Sequence, residues 1–215
     1  MSIPDVAVVD YGLGNLLSVR RGLEYCGATV LVTEDPDIIL SAPRVVLPGV
    51  GAFAHGMDEL NSRGLDSVVR EVASQGSILL GICLGMQMLF DDSVEFGRAE
   101  GLGLIPGKVV QIPSKTADGL SQKIPHIGWN GLVFPFGRKS WESKLLREVK
   151  ADEAVYFVHS FMAVTNNSED LIANCLYGGI SVPAIVGRGN VYGCQFHPEK
   201  SGEVGLRVLR GFLSL

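Results

Sequence analysis

The segment Gly81-Ile82-Cys83-Leu84-Gly85 constrains this chain more than any other. The apolar run Ile78-Leu79-Leu80 leads into it, and a helical stretch, Met86 to Phe90, leads out. A cysteine between glycines at the end of a buried strand reads as a sharp strand-to-helix elbow. The glycines tolerate the cramped turn, which pushes the thiol out of the sheet. The next helix would present free N–H groups and a positive dipole end, which favour thiolate over thiol. Alone, the segment fits a buried cysteine in a glycine-rich turn equally well.

The rest of the chain supplies the sheet that such an elbow needs. Val6 to Val9 reads as a buried strand ending at Asp10. Asn15 is placed to cap a helix over Leu16 to Cys26, with Leu16, Val19 and Leu23 on one face and Gly27 as its stop. Strands are expected at Thr29 to Thr33 and Arg44 to Leu47, and a helix at Leu65 to Val72. This alternation predicts an α/β fold, an open parallel sheet with helices on both faces. After Gly101 come short β-like runs: Lys108 to Ile112, Leu132 to Phe134, Ala154 to Val158, Leu171 to Leu176 and Val191 to Phe196. They predict antiparallel strands added to the parallel core, closed by a helix over Glu203 to Leu213. With no repeat or linker between the halves, residues 1–215 read as one domain.

Composition narrows the function. The 215 residues are 47% hydrophobic, enough for a core and too many for a disordered chain. A net charge of −5 argues against a general nucleic-acid binder. No apolar run reaches the length of a membrane span, and the start has no basic segment. A cytoplasmic protein with free thiols is therefore expected from Cys26, Cys83, Cys175 and Cys194, which form no CxxC pair. Cys26, Cys175 and Cys194 read as core thiols, and His55 as an exposed or packing residue. No Cys/His spacing suits a metal, so none is expected. Gly12-Leu13-Gly14 follows a strand as a dinucleotide fingerprint would, but position 17 is Leu, which removes that reading.

Two further segments suit a nucleophilic Cys83. In His197-Pro198-Glu199 the residue before proline is extended, so residues 197 and 199 project to one side. A carboxylate on one ring nitrogen fixes the tautomer and makes the other nitrogen more basic. Pro48-Gly49-Val50-Gly51 follows the third strand, at the same carboxyl edge as Cys83. Its glycines let an N–H turn toward a ligand, and with the N–H of Leu84 it would form an oxyanion hole.

These pieces, with Met86-Gln87 and His159-Ser160, resemble the class I glutamine amidotransferases in content and order. Within that family the chain is most similar to the glutaminase subunits of imidazole glycerol-phosphate synthases. That likeness rests on Asp10 to Asn15, Gly101 to Gly107, Pro125-His126-Ile127-Gly128-Trp129-Asn130 and Tyr156 to Ser160. Phe161 stands where the family often has Tyr. The stretch from Phe136 to Lys150 is assigned no role.

The resemblance implies a flavodoxin-like sheet, no cofactor, and hydrolysis of L-glutamine to glutamate and ammonia. It implies Cys83 as nucleophile, His197 as base and acid, and Glu199 as its orienting group. Gly49, Val50, Gly51 and Leu84 would form the oxyanion hole, and Gln87, Ser160 and Phe161 would hold substrate. Asn15, Trp129 and Lys200 would face a separate TIM-barrel cyclase subunit, which uses the ammonia in histidine biosynthesis. For Trp129, core packing is an alternative, and for Lys200 a solvated surface position. Two other functions compete: a glutaminase for anthranilate or GMP synthase, and a binding protein that has lost catalysis.

Overall fold

A computed structural model describes residues 3–215. The first half runs β1 (Val6–Val9), α1 (Leu16–Tyr25), β2 (Val30–Thr33), α2 (Pro36–Ser41), β3 (Arg44–Gly49), α3 (Phe53–Ser62), α4 (Leu65–Ser74), β4 (Ile78–Cys83) and α5 (Leu84–Met88). Then come β5 (Asp92–Ser93), β6 (Ala99–Glu100), β7 (Gly107–Gln111), β8 (His126–Gly131), β9 (Ala154–His159) and β10 (Phe161–Thr165). The chain ends with β11 (Leu171–Tyr177), β12 (Ile180–Arg188), β13 (Val191–Cys194) and α6 (Gly202–Leu213).

The main sheet has the order β11-β12-β13-β4-β3-β1-β2. Strands β13, β4, β3, β1 and β2 are mutually parallel, while β12 and β11 add antiparallel strands beyond β13. The parallel part has the flavodoxin-like order, in which the direction of winding reverses between β1 and β3. Strand β1 shows why both faces must be covered. Val6 and Val8 pack with Val19 and Leu23 of α1 and Val208 and Phe212 of α6. Ala7 and Val9 pack on the other face with Met57 of α3 and Val69 of α4. A strand buried on both sides reads as a continuous apolar run, and this one does.

Smaller sheets flank the main one: β10-β7-β5-β6, and the antiparallel pair β8–β9. Several sequence expectations move here. Leu132 to Phe134 is not a strand; only Val133 bridges, to Asn174. The strand lies just before it, at β8, whose His, Gly, Trp and Asn show no alternation. Strand β12 carries Pro183 and Gly187 and gives no clean strand signal. The helix after Cys83 is only five residues long, ending at Met88.

The register brings three segments to one edge. Gly49 pairs with Cys83, and Cys194 pairs with Ile82. The end of β3, the end of β4 and the exit from β13 are thus neighbours, at the carboxyl edge where open α/β sheets bind ligands.

Candidate active site

Cys83 has φ 56° and ψ −109°, a backbone conformation that side chains other than glycine rarely adopt. Strain of this kind persists only where the surroundings impose it. They do so here by close packing. A β-carbon at Gly49 would come within 2.5 Å of the Tyr11 hydroxyl and 2.9 Å of Leu84 Cβ. One at Gly85 would run into the carbonyl oxygen of Leu47. Gly49 is therefore demanded by packing, while Gly51, at φ 109°, is demanded by conformation. The expected elbow is present, but a five-residue helix carries a smaller dipole than a long one would.

His197 Nδ1 lies 2.8 Å from Glu199 Oε1, and both side chains are almost fully buried. His197 is extended, as the following proline requires, but residues 198–200 form a single 3-10 turn rather than a strand. That turn, more than the i, i+2 alternation, brings the carboxylate under the ring. Ser201 locks it: its Oγ donates to the His197 carbonyl at 2.6 Å and accepts from the Tyr156 N–H at 3.0 Å. The His197 N–H itself donates to the Tyr156 carbonyl at 3.0 Å. Burial alone would lower the His197 pKa. Hydrogen bonds and charge from Cys83 and Glu199 outweigh it and raise the value to about 9. The charged imidazolium is the form this favours. Asn15 Nδ2 also approaches Glu199 Oε1, at 3.4 Å, and makes no capping bond to α1.

A cavity of about 370 Å³ opens at Cys83. Val50, Gly51, Leu84, Gln87, Ser160 and Phe161 line it, so the expected oxyanion and substrate groups converge on one space, except Gly49, which is closed in by Tyr11, Leu84 and Gly85. Lys200 stands at this cavity too, and not only on the outer surface. Gln87 Nε2 donates to the Phe161 carbonyl at 3.1 Å and to Gln195 Oε1 at 3.0 Å. Trp129 is 60% exposed, its ring edge-on to Tyr156, so the core-packing alternative for it falls. A larger depression of about 530 Å³ around Ile78, Tyr192 and Leu215 lies at the opposite end of β4 and holds none of these groups.

Three residues escaped the sequence reading. Tyr11, buried, donates its hydroxyl to the Pro48 carbonyl at 2.7 Å and so anchors the Gly49–Gly51 loop. Glu95 lines the cavity and accepts the Phe53 N–H at 2.7 Å, at the start of α3. Gln195, wholly buried, has its Nε2 3.9 Å from Cys83 Sγ. Each acts through a contact distant in sequence, which no local pattern announces.

The remaining thiols are unpaired, and Cys175 and Cys194 are buried as expected. Cys26 is only partly buried, bonding weakly to the Leu206 carbonyl at 3.6 Å, so it is not the core thiol expected. Among the described residues, no three His, Cys, Asp or Glu side chains are grouped to hold a metal ion, and no helix is long and apolar enough to cross a membrane.

Comparisons with known proteins agree with this geometry. The chain is 49% identical over 210 residues to imidazole glycerol phosphate synthase subunit HisH 1 of Legionella pneumophila (strain Lens), covering 98% of this chain and 99% of that protein. It is 48% identical over 210 residues to the HisH subunit of Geobacillus sp. (strain WCH70), covering 98% and 96%. Among solved structures, a glutamine amidotransferase superposes with a TM-score of 0.72 at 18% identity, covering 98% of this chain and all of that one. PurLQS from Thermotoga maritima gives 0.70 at 20% identity, covering 99% of each chain. These two share the fold. The family model of glutamine amidotransferase class-I matches residues 7–214. The chain belongs to the class I glutamine amidotransferases.

Proposed function

We propose that this chain is the glutaminase subunit of an imidazole glycerol-phosphate synthase, one domain over residues 1–215 that works in the cytoplasm beside a TIM-barrel cyclase subunit. The observation that carries the chemistry is the 2.8 Å contact between His197 Nδ1 and Glu199 Oε1, with the Cys83 side chain on the same imidazole. Identity of 48–49% to HisH subunits over 98% of this chain supports the choice of synthase over anthranilate or GMP synthase.

The reaction follows from these groups. His197 takes the Sγ proton, and the thiolate attacks the γ-carboxamide carbon of glutamine. Charge moves to the carboxamide oxygen, where N–H groups of Leu84 and the Gly49–Gly51 loop receive it. Collapse breaks the C–N bond, and the proton from His197 leaves with ammonia. Water then attacks the thioester, His197 taking its proton. The C–S bond breaks, the electron pair returns to sulfur, and glutamate departs. Glu95 offers a carboxylate to the substrate ammonium, while Gln87, held by its Nε2, keeps Oε1 free for a donor. Asn15, Trp129 and Lys200 are proposed to face the cyclase.

The test is Cys83→Ala with the cyclase subunit present. Glutamine-dependent synthesis should vanish while synthesis from free ammonium persists. Glutaminase turnover surviving in that variant would sink the proposal. Trapping of Cys83 by a glutamine-analogue electrophile separates an enzyme from a binding protein, because an inert thiol would not react.

A further inference from the structure

Gln195 is completely buried, and nothing in the mechanism above uses it. Its amide could in principle present either end to Cys83, since the oxygen and nitrogen of a side-chain amide are interchangeable in shape. The surrounding bonds remove that ambiguity. The Phe161 carbonyl can only accept, and it faces Gln87 at 3.1 Å. That fixes Gln87 Nε2 as the end turned toward it. The same Nε2 meets Gln195 at 3.0 Å, so the Gln195 atom there must be the acceptor Oε1. Its Nε2 is then the end 3.9 Å from Cys83 Sγ, within reach of an N–H to sulfur hydrogen bond. His159 Nδ1 reaches the same Phe161 carbonyl at 2.8 Å, which holds the first member of the chain in place.

We propose that the Gln195 side-chain N–H donates to Cys83 Sγ and stabilises it as the attacking and departing thiolate, with Gln87 fixing the direction of that donor. This rests on Cys83 being the nucleophile, as proposed above. A hydrogen bond to the charged form of a group favours that form, most strongly where water is excluded. The donor therefore acts at two points. Before attack it holds the sulfur charged beside the His197 imidazolium. At the end it receives the electron pair that returns to sulfur when the C–S bond breaks. It gains nothing from the thioester, whose sulfur is neutral, so it raises the share of sulfur held as attacking thiolate and eases the return of charge to sulfur as the C–S bond breaks. Gln87 thereby joins two tasks, since one amide group touches both the substrate-side carbonyl of Phe161 and the orienting oxygen of Gln195.

The experiment compares wild type, Gln195→Met and Gln195→Glu, each in complex with the cyclase subunit. The pH profile of iodoacetamide alkylation is followed at Cys83 by peptide mass spectrometry, alongside kcat and KM for glutamine. Removing the donor in Gln195→Met should slow alkylation near neutral pH about tenfold and displace the profile to higher pH. Gln195→Glu keeps the shape and the acceptor but sets a carboxylate against the sulfur, so it should slow alkylation further. In both, kcat should fall more than KM rises, because His159 still holds the Phe161 carbonyl. Circular dichroism reports folding; should Gln195→Met not fold, the isosteric Gln195→Glu decides. Alkylation profiles that overlay wild type, in a folded variant, overturn the proposal. Wild-type Cys83 that resists alkylation, or glutaminase turnover without Cys83, would instead overturn the glutaminase reading itself.

Discussion

Gly85 stands against the carbonyl oxygen of Leu47 with no room for a β-carbon between them. The contact ties the first turn of α5 to β3, the strand that ends in the Gly49–Gly51 loop. Two backbones meet there, and neither can swing aside as a side-chain tip would. Gly85→Ala should therefore destabilise the fold by about 3 kcal/mol, the upper end for overpacking. Gly27 is the comparison. Its φ of 95° disfavours alanine, but no atom lies within 4 Å of the added carbon. Gly27→Ala should cost only about 1–2 kcal/mol. Urea unfolding of both variants checks the order, and a smaller loss for Gly85→Ala would contradict it.

The raised His197 pKa, about 9, predicts the alkaline side of the pH profile. Burial pulls it down, and the Cys83 and Glu199 side chains more than restore it. The imidazolium that gives ammonia its proton is kept until pH passes through about 9, and kcat/KM measured with the cyclase should fall there. Glu199→Gln removes one raising group, so the fall should begin at lower pH and kcat should drop on the order of tenfold to a hundredfold. The stability linked to this histidine has the same sense. Its folded value exceeds its unfolded one, so the contribution is complete below about pH 6.5 and is lost as pH rises through about 9. An alkaline limb unmoved by Glu199→Gln would refute the assignment.

Legibility in the sequence followed the range of the contacts involved. Val6 to Val9 and Ile78 to Ile82 were readable because strands buried on both faces need no partner to announce themselves. The elbow at Cys83 and the nearness of His197 to Glu199 were readable because local turns fix them. Strand β8 was not. Its residues His126 to Gly131 acquire strand form from pairing with β9, and its Trp129 and Ile127 remain exposed. Gln195 was hidden for a related reason: its partners Gln87 and Cys83 are 108 and 112 residues away. Tyr11 and Glu95 likewise act across the fold, on Pro48 and Phe53.

His126 and His159 predict behaviour in acid. Their rings meet at 3.0 Å, and His126 lies stacked between Phe157 and Tyr177. Burial lowers both pKa values to about 4. For these bases the sign is opposite to His197. The neutral rings fit the fold, so their stabilisation is complete above about pH 6.5 and lost as pH falls through about 4. His126→Phe preserves the stacking and removes one of the two titrations. The difference in unfolding midpoint between about pH 7 and about pH 5 should shrink in that variant. An unchanged difference would show that the pair contributes nothing to acid sensitivity.

Ser201 predicts a separation of stability from binding. Its hydroxyl bridges the Tyr156 N–H and the His197 carbonyl; in Ser201→Ala the carbonyl keeps the Lys200 N–H at 3.0 Å, while the Tyr156 N–H loses this acceptor. An unmet buried group of this kind costs about 1–3 kcal/mol. The turn beneath His197 loosens while the cavity walls at Gln87 and Phe161 do not, so kcat should fall with KM near its original value. A rise in KM with kcat retained would mean that Ser201 shapes the cavity rather than the base.

Trp129 connects the outer surface to the same base. It pairs with Tyr156 across β8 and β9, and the Tyr156 carbonyl accepts the His197 N–H. A large aromatic ring that is 60% exposed adds little to the stability of the isolated chain. Trp129→Ala should thus change its unfolding free energy by no more than about 1 kcal/mol. If this face receives the cyclase, a central aromatic anchor is lost, and affinity for that subunit should fall roughly tenfold to a hundredfold. Titrating glutaminase turnover with the cyclase measures the affinity directly. At saturating cyclase any remaining loss in kcat reports the link through Tyr156 to His197, since binding is then complete. A variant that binds and turns over like wild type would remove both roles and leave Trp129 as an exposed ring without a partner.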